Sequence, residues 1–255
     1  AGQGGSGTHV QADAGVGAHG QGIVDVGVGQ VLGQNVAGLT IDLHLAPVAG
    51  GFQHRLKLCT SHWIISPCHT DNQVIVLDQM SAAPEQIVIR VGDELARVLS
   101  GYGLSVLHDR ALYDDPEYNG AYYRAEDAIE EYMAKYPGIR FILDVHRDAL
   151  EDKAGHQYKV VTREDPDCAQ VSLVMGSSWE GWQENLKFAV AVQQHLTESH
   201  PTLMRPLTLR NSDYNEYFTT GSLLVEIGAA GNSLDEALKA VRVFGEGFAE
   251  VVTGK

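Results

Sequence analysis

Phe141-Ile142-Leu143-Asp144-Val145-His146-Arg147-Asp148-Ala149 decides the reading of this chain. An apolar run, Phe141 to Val145, interrupted only by Asp144, ends in a histidine and two further charged residues. A short apolar stretch bounded by turn residues reads as a buried strand. A second run, Leu223-Leu224-Val225, ends in Glu226-Ile227-Gly228. Ligands and catalytic groups of open α/β sheets gather at the carboxyl ends of such strands. A histidine and a carboxylate delivered to one sheet edge supply a metal ligand and a base for an attacking water, the minimum for metal-assisted hydrolysis.

Working outward, the residues from Ile87 onward alternate helix and strand. Val91, Leu95, Val98 and Leu99 share one helical face, with Gly101 placed as the stop. Leu104–Leu107 reads as a strand, Arg124–Lys135 as a helix, and Ile139–Val145 as the strand leading to His146. Tyr158–Val161 and Val171–Met175 read as strands, Trp182–Glu198 as a helix, Leu223–Glu226 as a strand and Leu234–Val252 as the last helix. Strands separated by helices of this length imply an α/β fold, a mostly parallel sheet with helices on both faces.

The first third of the sequence is different. Residues 1–86 carry only eight charged side chains, and half of the 28 glycines fall in residues 1–51. Glycine at that density is entropically costly to order. Leu39–Leu43 and Val74–Leu77 are the clearest strand candidates there. The expected organisation is an atypical Gly-rich segment over residues 1–70, poorly ordered or mistranslated, and a catalytic domain over 71–255.

Composition excludes several classes. A formal net charge of −15 argues against binding nucleic acid, whose phosphates require clustered Lys and Arg. Cys59, Cys68 and Cys168 are too few for a disulfide framework. No apolar stretch is long enough to span a bilayer. The chain begins at Ala1 without a leader, so a targeting segment is expected upstream. His-Arg-Asp also occurs in protein kinases, but Lys153 stands where their asparagine belongs and no phosphate loop is present. Gly-x-Ser-x-Gly is absent, and Gly27-Val28-Gly29 lacks the third glycine of a dinucleotide fingerprint.

Within the charged segments, His146 reads either as a metal ligand or as a strand-end histidine held by Asp144 or Asp148. Arg147 is a candidate contact for a substrate carboxylate and Asp148 a support or substrate contact. Glu226, following three aliphatics, is expected to be partly desolvated, which suits a general base; the alternative is a pairing with Arg147 or Arg124. Pro116 to Arg124 and Ser177 to Trp182 are aromatic-rich turns that read as groove wall or as core.

Val91-Gly92-Asp93-Glu94-Leu95-Ala96, Tyr118-Asn119-Gly120-Ala121-Tyr122-Tyr123-Arg124, Leu143 to Ala149, Trp182-Gln183-Glu184-Asn185-Leu186 and Leu223 to Gly228, in that order, resemble the stage II sporulation protein P family, peptidoglycan hydrolases of spore-forming bacteria. The likeness covers residues 87–255, not 1–86. At greater distance the chain is similar to zinc N-acetylmuramoyl-L-alanine amidases. The resemblance implies a zinc-amidase-like fold, a Zn2+ site, cleavage of the bond between muramic acid and L-alanine, and endopeptidase action on cross-links as a further activity. It implies His146 as metal ligand, Glu226 as catalytic glutamate, and Arg124, Arg147 and Asp148 as substrate contacts. The implied partners are peptidoglycan and other sporulation cell-wall proteins of engulfment, and the implied location is extracytoplasmic, exported or held by an anchor not contained in this chain.

The family's first histidine and glutamate ligands come from a His-Thr-His-x-x-Glu segment, which this sequence lacks. Ser66-Pro67-Cys68-His69-Thr70-Asp71-Asn72 is the nearest trace, making His69 the second candidate ligand and His62 an outside one. The abrupt loss of charge and periodicity upstream of Ile87 suggests a frame error or rearrangement. Two rival readings stand beside the amidase: a non-catalytic or inactive peptidoglycan-binding relative, and an unrelated α/β hydrolase.

Overall fold

The computed structural model describes residues 85–115 and 119–255 and, upstream, five strands. These are β1 (Ala14–Val16), β2 (Gly22–Val26), β3 (Leu39–Asp42), β4 (Arg55–Leu58) and β5 (Gln73–Asp78). There follow α1 (Glu85–Gly101), β6 (Ser105–Asp109), α2 (Ala121–Lys135), β7 (Ile139–Asp148), β8 (Val171–Gly176), α3 (Trp182–Ser199), β9 (Leu207–Arg210), a 3-10 turn (Glu216–Phe218), β10 (Gly221–Ala229) and α4 (Leu234–Thr253).

One sheet has the order β1-β2-β9-β8-β10-β7-β5-β6, and β3 and β4 pair separately. β10, β7, β5 and β6 run parallel. β8 and β9 are parallel to each other, and β8 is antiparallel to β10. The mostly parallel α/β sheet with helices on both faces is therefore what the chain forms.

Side chains alternate across each strand, and this divides the interior in two. Val74, Val76, Phe141, Leu143, Val145, Leu223 and Val225 face α1, α3 and α4 in the larger core. Phe248 meets Phe141 and Phe188 edge-on at ring separations of 5.6 and 5.9 Å. Ile75, Leu77 and Ile142 face the other way, toward Ala121, Ala125 and Ile129 of α2. Among the described residues one helix covers that face and three cover the opposite one, and the 3-10 turn packs against β10.

Three expectations change. Leu104–Leu107 becomes Ser105–Asp109, and the left-handed residue after α1 is Gly103 (φ 89°) rather than Gly101. Tyr158–Val161 is no strand; it makes a single bridge, Val161 to Ala169, and its backbone is tied instead to Asn232. Leu207–Arg210 is a strand that the sequence reading passed over. Among the described residues no helix is long and apolar enough to cross a membrane.

Candidate active site

β7 runs to Asp148, three residues past the point where the apolar run stops, so His146 lies within the strand and not after it. Asp144, His146 and Asp148 consequently share the α2 face with Ile142, while Val145 and Arg147 point to the other. On β10 the residues in register with Asp144 and His146 are Leu224 and Glu226. Glu226 is in turn level with Ser172 of β8. The two groups singled out on separate strands thus become direct neighbours on one sheet face.

His146 is buried, its Nε2 lies 3.0 Å from Asp144 Oδ1, and the ring of Tyr122 stacks over it at 6.4 Å between centroids. The Asp144 contact has the distance of an ion pair but not the angles of a hydrogen bond. His146 Nε2, Asp144 Oδ1 and Glu226 Oε2 are all buried without a hydrogen-bond partner among the described residues. Burial disfavours the charged imidazole, yet the carboxylates of Asp144, Glu226 and Asp114 outweigh it and raise the His146 pKa to about 9. Burial raises Glu226 to about 7; His146 and Arg205 oppose that shift, and Asp148 and Asp144 add to it.

Arg147 is spent elsewhere. On the opposite face it donates to the carbonyls of Ala229 (2.7 Å), Ala230 (3.3 Å) and Asn232, fixing the turn from β10 into α4. A substrate contact is not what its position offers, because strand alternation carries it away from His146. Arg124 Nε donates to the Tyr113 carbonyl at 2.7 Å and Nη1 to that of Asn119 at 3.4 Å, binding α2 to the segment before it. Asp148 is at the site and forms an ion pair with Arg205 Nη1 at 2.6 Å. His69 and His62 lie outside the described residues, as do Pro116, Glu117 and Tyr118. β5, the strand following His69, starts with Gln73 paired to Ile139, at the end of β7 away from His146.

Two contributors escaped the sequence reading. Arg205 sits just before β9, whose alternation of Leu207 and Leu209 with Thr208 and Arg210 was the available signal. Glu216 is almost wholly buried, accepts from Gly176 N at 2.9 Å, and is driven well above the ordinary carboxylate range by that burial. Nothing local marks it. Asn185 ties the same segment down by donating to the carbonyls of Glu216, Thr219 and Ser222 at 2.9, 2.8 and 3.2 Å. Of the two aromatic-rich turns, the first delivers Tyr122 to His146, and the second places Trp182 against the larger core.

The model of the family described as stage II sporulation protein P matches residues 65–249. This chain belongs to the stage II sporulation protein P family. The match takes in β5 and all of α1, beginning upstream of the Ile87 boundary at which the resemblance was expected to start. The stage II sporulation protein P of Bacillus subtilis (strain 168) is 24% identical over 179 residues, which are 64% of this chain and 43% of that protein. The chain therefore spans less than half the length of that relative. Among solved structures, the N-acetylmuramoyl-L-alanine amidase of Clostridium difficile 630 is similar with a TM-score of 0.47 and 14% identity, covering 73% of this chain and 97% of that one. Amidase AmiC2 of Nostoc punctiforme follows at 0.43 and 15%, covering 71% and 95%.

Zinc was the cofactor that the resemblance to this family implied, and the described residues do not complete a site for it. A catalytic zinc takes three protein ligands. The row supplies one imidazole with carboxylates beside it, and among the described residues no group of three or more His, Cys, Asp or Glu is arranged to hold a metal ion.

Proposed function

We propose that this chain is a peptidoglycan hydrolase of sporulation that acts outside the cytoplasmic membrane and cleaves the amide joining muramic acid to L-alanine, with stem-peptide cross-links as further substrates. The observation supporting this reading is the register of Glu226 with His146 on the α2 face of the sheet. A carboxyl group with a pKa near 7 is matched to proton transfer at neutral pH. Glu226 takes a proton from the attacking water as its oxygen bonds to the carbonyl carbon. It returns that proton to the amine nitrogen as the C–N bond breaks, leaving a carboxylic acid and an amine. His146, kept cationic by its carboxylate neighbours, can donate from Nε2 to the carbonyl oxygen as negative charge develops there. The described donors alone leave a zinc site incomplete.

That incomplete donor set favours a second reading, a peptidoglycan-binding relative without turnover. Dye release from labelled sacculi separates the two. Wild-type protein should release dye and Glu226→Gln should not; full digestion by the variant would remove Glu226 from its role. Bound zinc, measured in wild type and in His146→Ala, decides the cofactor. Near one equivalent that disappears in the variant places His146 in a metal site, and far less after reconstitution favours proton chemistry or binding alone.

A further inference from the structure

The polar row does not stop at Glu226. Ser172 is level with Glu226 on β8, and beyond it Met204 bridges Val171 while Arg205 N donates to the Val171 carbonyl at 2.7 Å. The Arg205 backbone is thereby fixed at the height of the row. From there its side chain forms an ion pair with Asp148, the last residue of β7. The guanidinium is close enough to Glu226 to act on its charge.

Arg205 differs from the two arginines that the sequence put forward. Arg147 and Arg124 donate to backbone carbonyls of their own surroundings. The partner of Arg205 is a carboxylate, and both side chains of that pair keep a quarter of their surface open, 25% for Arg205 and 27% for Asp148. Ion pairs with that exposure contribute little to stability, so one carboxylate can replace another at small cost. Apart from the buried His146, which Asp144 already faces, the surroundings are acidic: Asp144, Asp148 and Glu226 share one face of a chain of net charge −15. An acidic ligand needs a cation to settle here, and a guanidinium fork matches a carboxylate in two hydrogen bonds.

We propose that Arg205 anchors a free carboxylate of an acidic peptide ligand, with Asp148 occupying the guanidinium until that carboxylate displaces it. The identity of the ligand as a peptidoglycan stem peptide rests on the hydrolase reading; the anchor itself does not. Calorimetric titration tests it, using the full chain with Glu226→Gln to prevent turnover. The probes are a synthetic stem tetrapeptide with free carboxylates and the same peptide with those carboxylates amidated. The free acid should bind at least ten-fold more tightly, Arg205→Met should abolish that preference, and Arg205→Lys should keep part of it. Asp148→Asn should tighten binding of the free acid several-fold, because the internal competitor is gone; a purely structural strap would weaken binding instead. A preference that survives Arg205→Met, or a free acid bound more weakly by Asp148→Asn, overturns the proposal. Should Arg205→Met fail to fold, Arg205→Lys and Asp148→Asn carry the same test. A wild type that leaves sacculi intact while this pattern holds removes the hydrolase reading and keeps the anchor. Digestion of sacculi without any charge preference does the reverse.

Discussion

Glu226→Gln should make the protein more stable and inactive at once. The buried carboxyl titrates near 7 in the folded chain against 4.5 for the unperturbed group. A folded pKa above the unfolded one means that the native state holds the proton more firmly. Stability is then greatest below pH 4.5 and falls as pH rises toward 7. Each pH unit between the two values is worth about 1.4 kcal/mol, so ionising Glu226 costs the fold about 3 kcal/mol by neutral pH. Glutamine has nearly the same shape and nothing to ionise. His146, whose pKa of about 9 is also above its unperturbed 6.5, adds its own loss of stability only above pH 6.5. Glu216, also raised by burial, is common to both proteins, so between pH 4.5 and 6.5 the difference between variant and wild type reports Glu226. Urea unfolding of both proteins at half-unit steps from pH 4.5 to 8 reads the effect. The stability of the variant relative to wild type should climb by about 2–3 kcal/mol between pH 4.5 and 7, while dye release from sacculi falls at least about 100-fold. A stability difference that stays flat across this range would refute the desolvated carboxyl and, with it, the reason for choosing Glu226 as the proton carrier.

Other consequences are more local. Arg147→Met leaves the Ala229, Ala230 and Asn232 carbonyls without their donor, and should cost about 3 kcal/mol in urea unfolding; peptide affinity per folded molecule should stay unchanged, which a substrate contact would not allow. At Gly176 an added Cβ would be driven into the Ser212 carbonyl oxygen and lie 2.8 Å from the Trp179 ring. Gly176→Ala should therefore destabilise by about 1–3 kcal/mol in the same assay. For residues 1–64, upstream of the family match, translation of the coding sequence in its other two frames should recover a His-x-His-x-x-Glu segment; its absence from both would dismiss the frame-error proposal.

The strand around His146 shows how far a sequence can be read. The run from Phe141 to Val145 marked the strand because buried parallel strands are apolar on both faces. The same apolarity marked its end too early, since Asp144, His146 and Asp148 belong to the strand although polar. Had the strand been carried two residues further, alternation alone would have separated His146 from Arg147 and kept Arg147 out of the substrate contacts. Arg205 was hidden for a related reason, as the four-residue alternation of β9 is short for a strand. Glu216 had no local signal, because its burial comes from α3, β8 and β10 closing around a turn.

By itself the sequence determined the alternation of strands and helices, the mostly parallel sheet, and the two strands that bear His146 and Glu226, because hydrophobic periodicity is a local property fixed by backbone geometry. Tertiary structure decided which strands are neighbours, that β8 and β9 reverse direction, that Glu226 is level with His146, and that Arg205 pairs with Asp148. Register between strands far apart in the chain is set by the packing of all the helices on the sheet, and no window of sequence contains that sum.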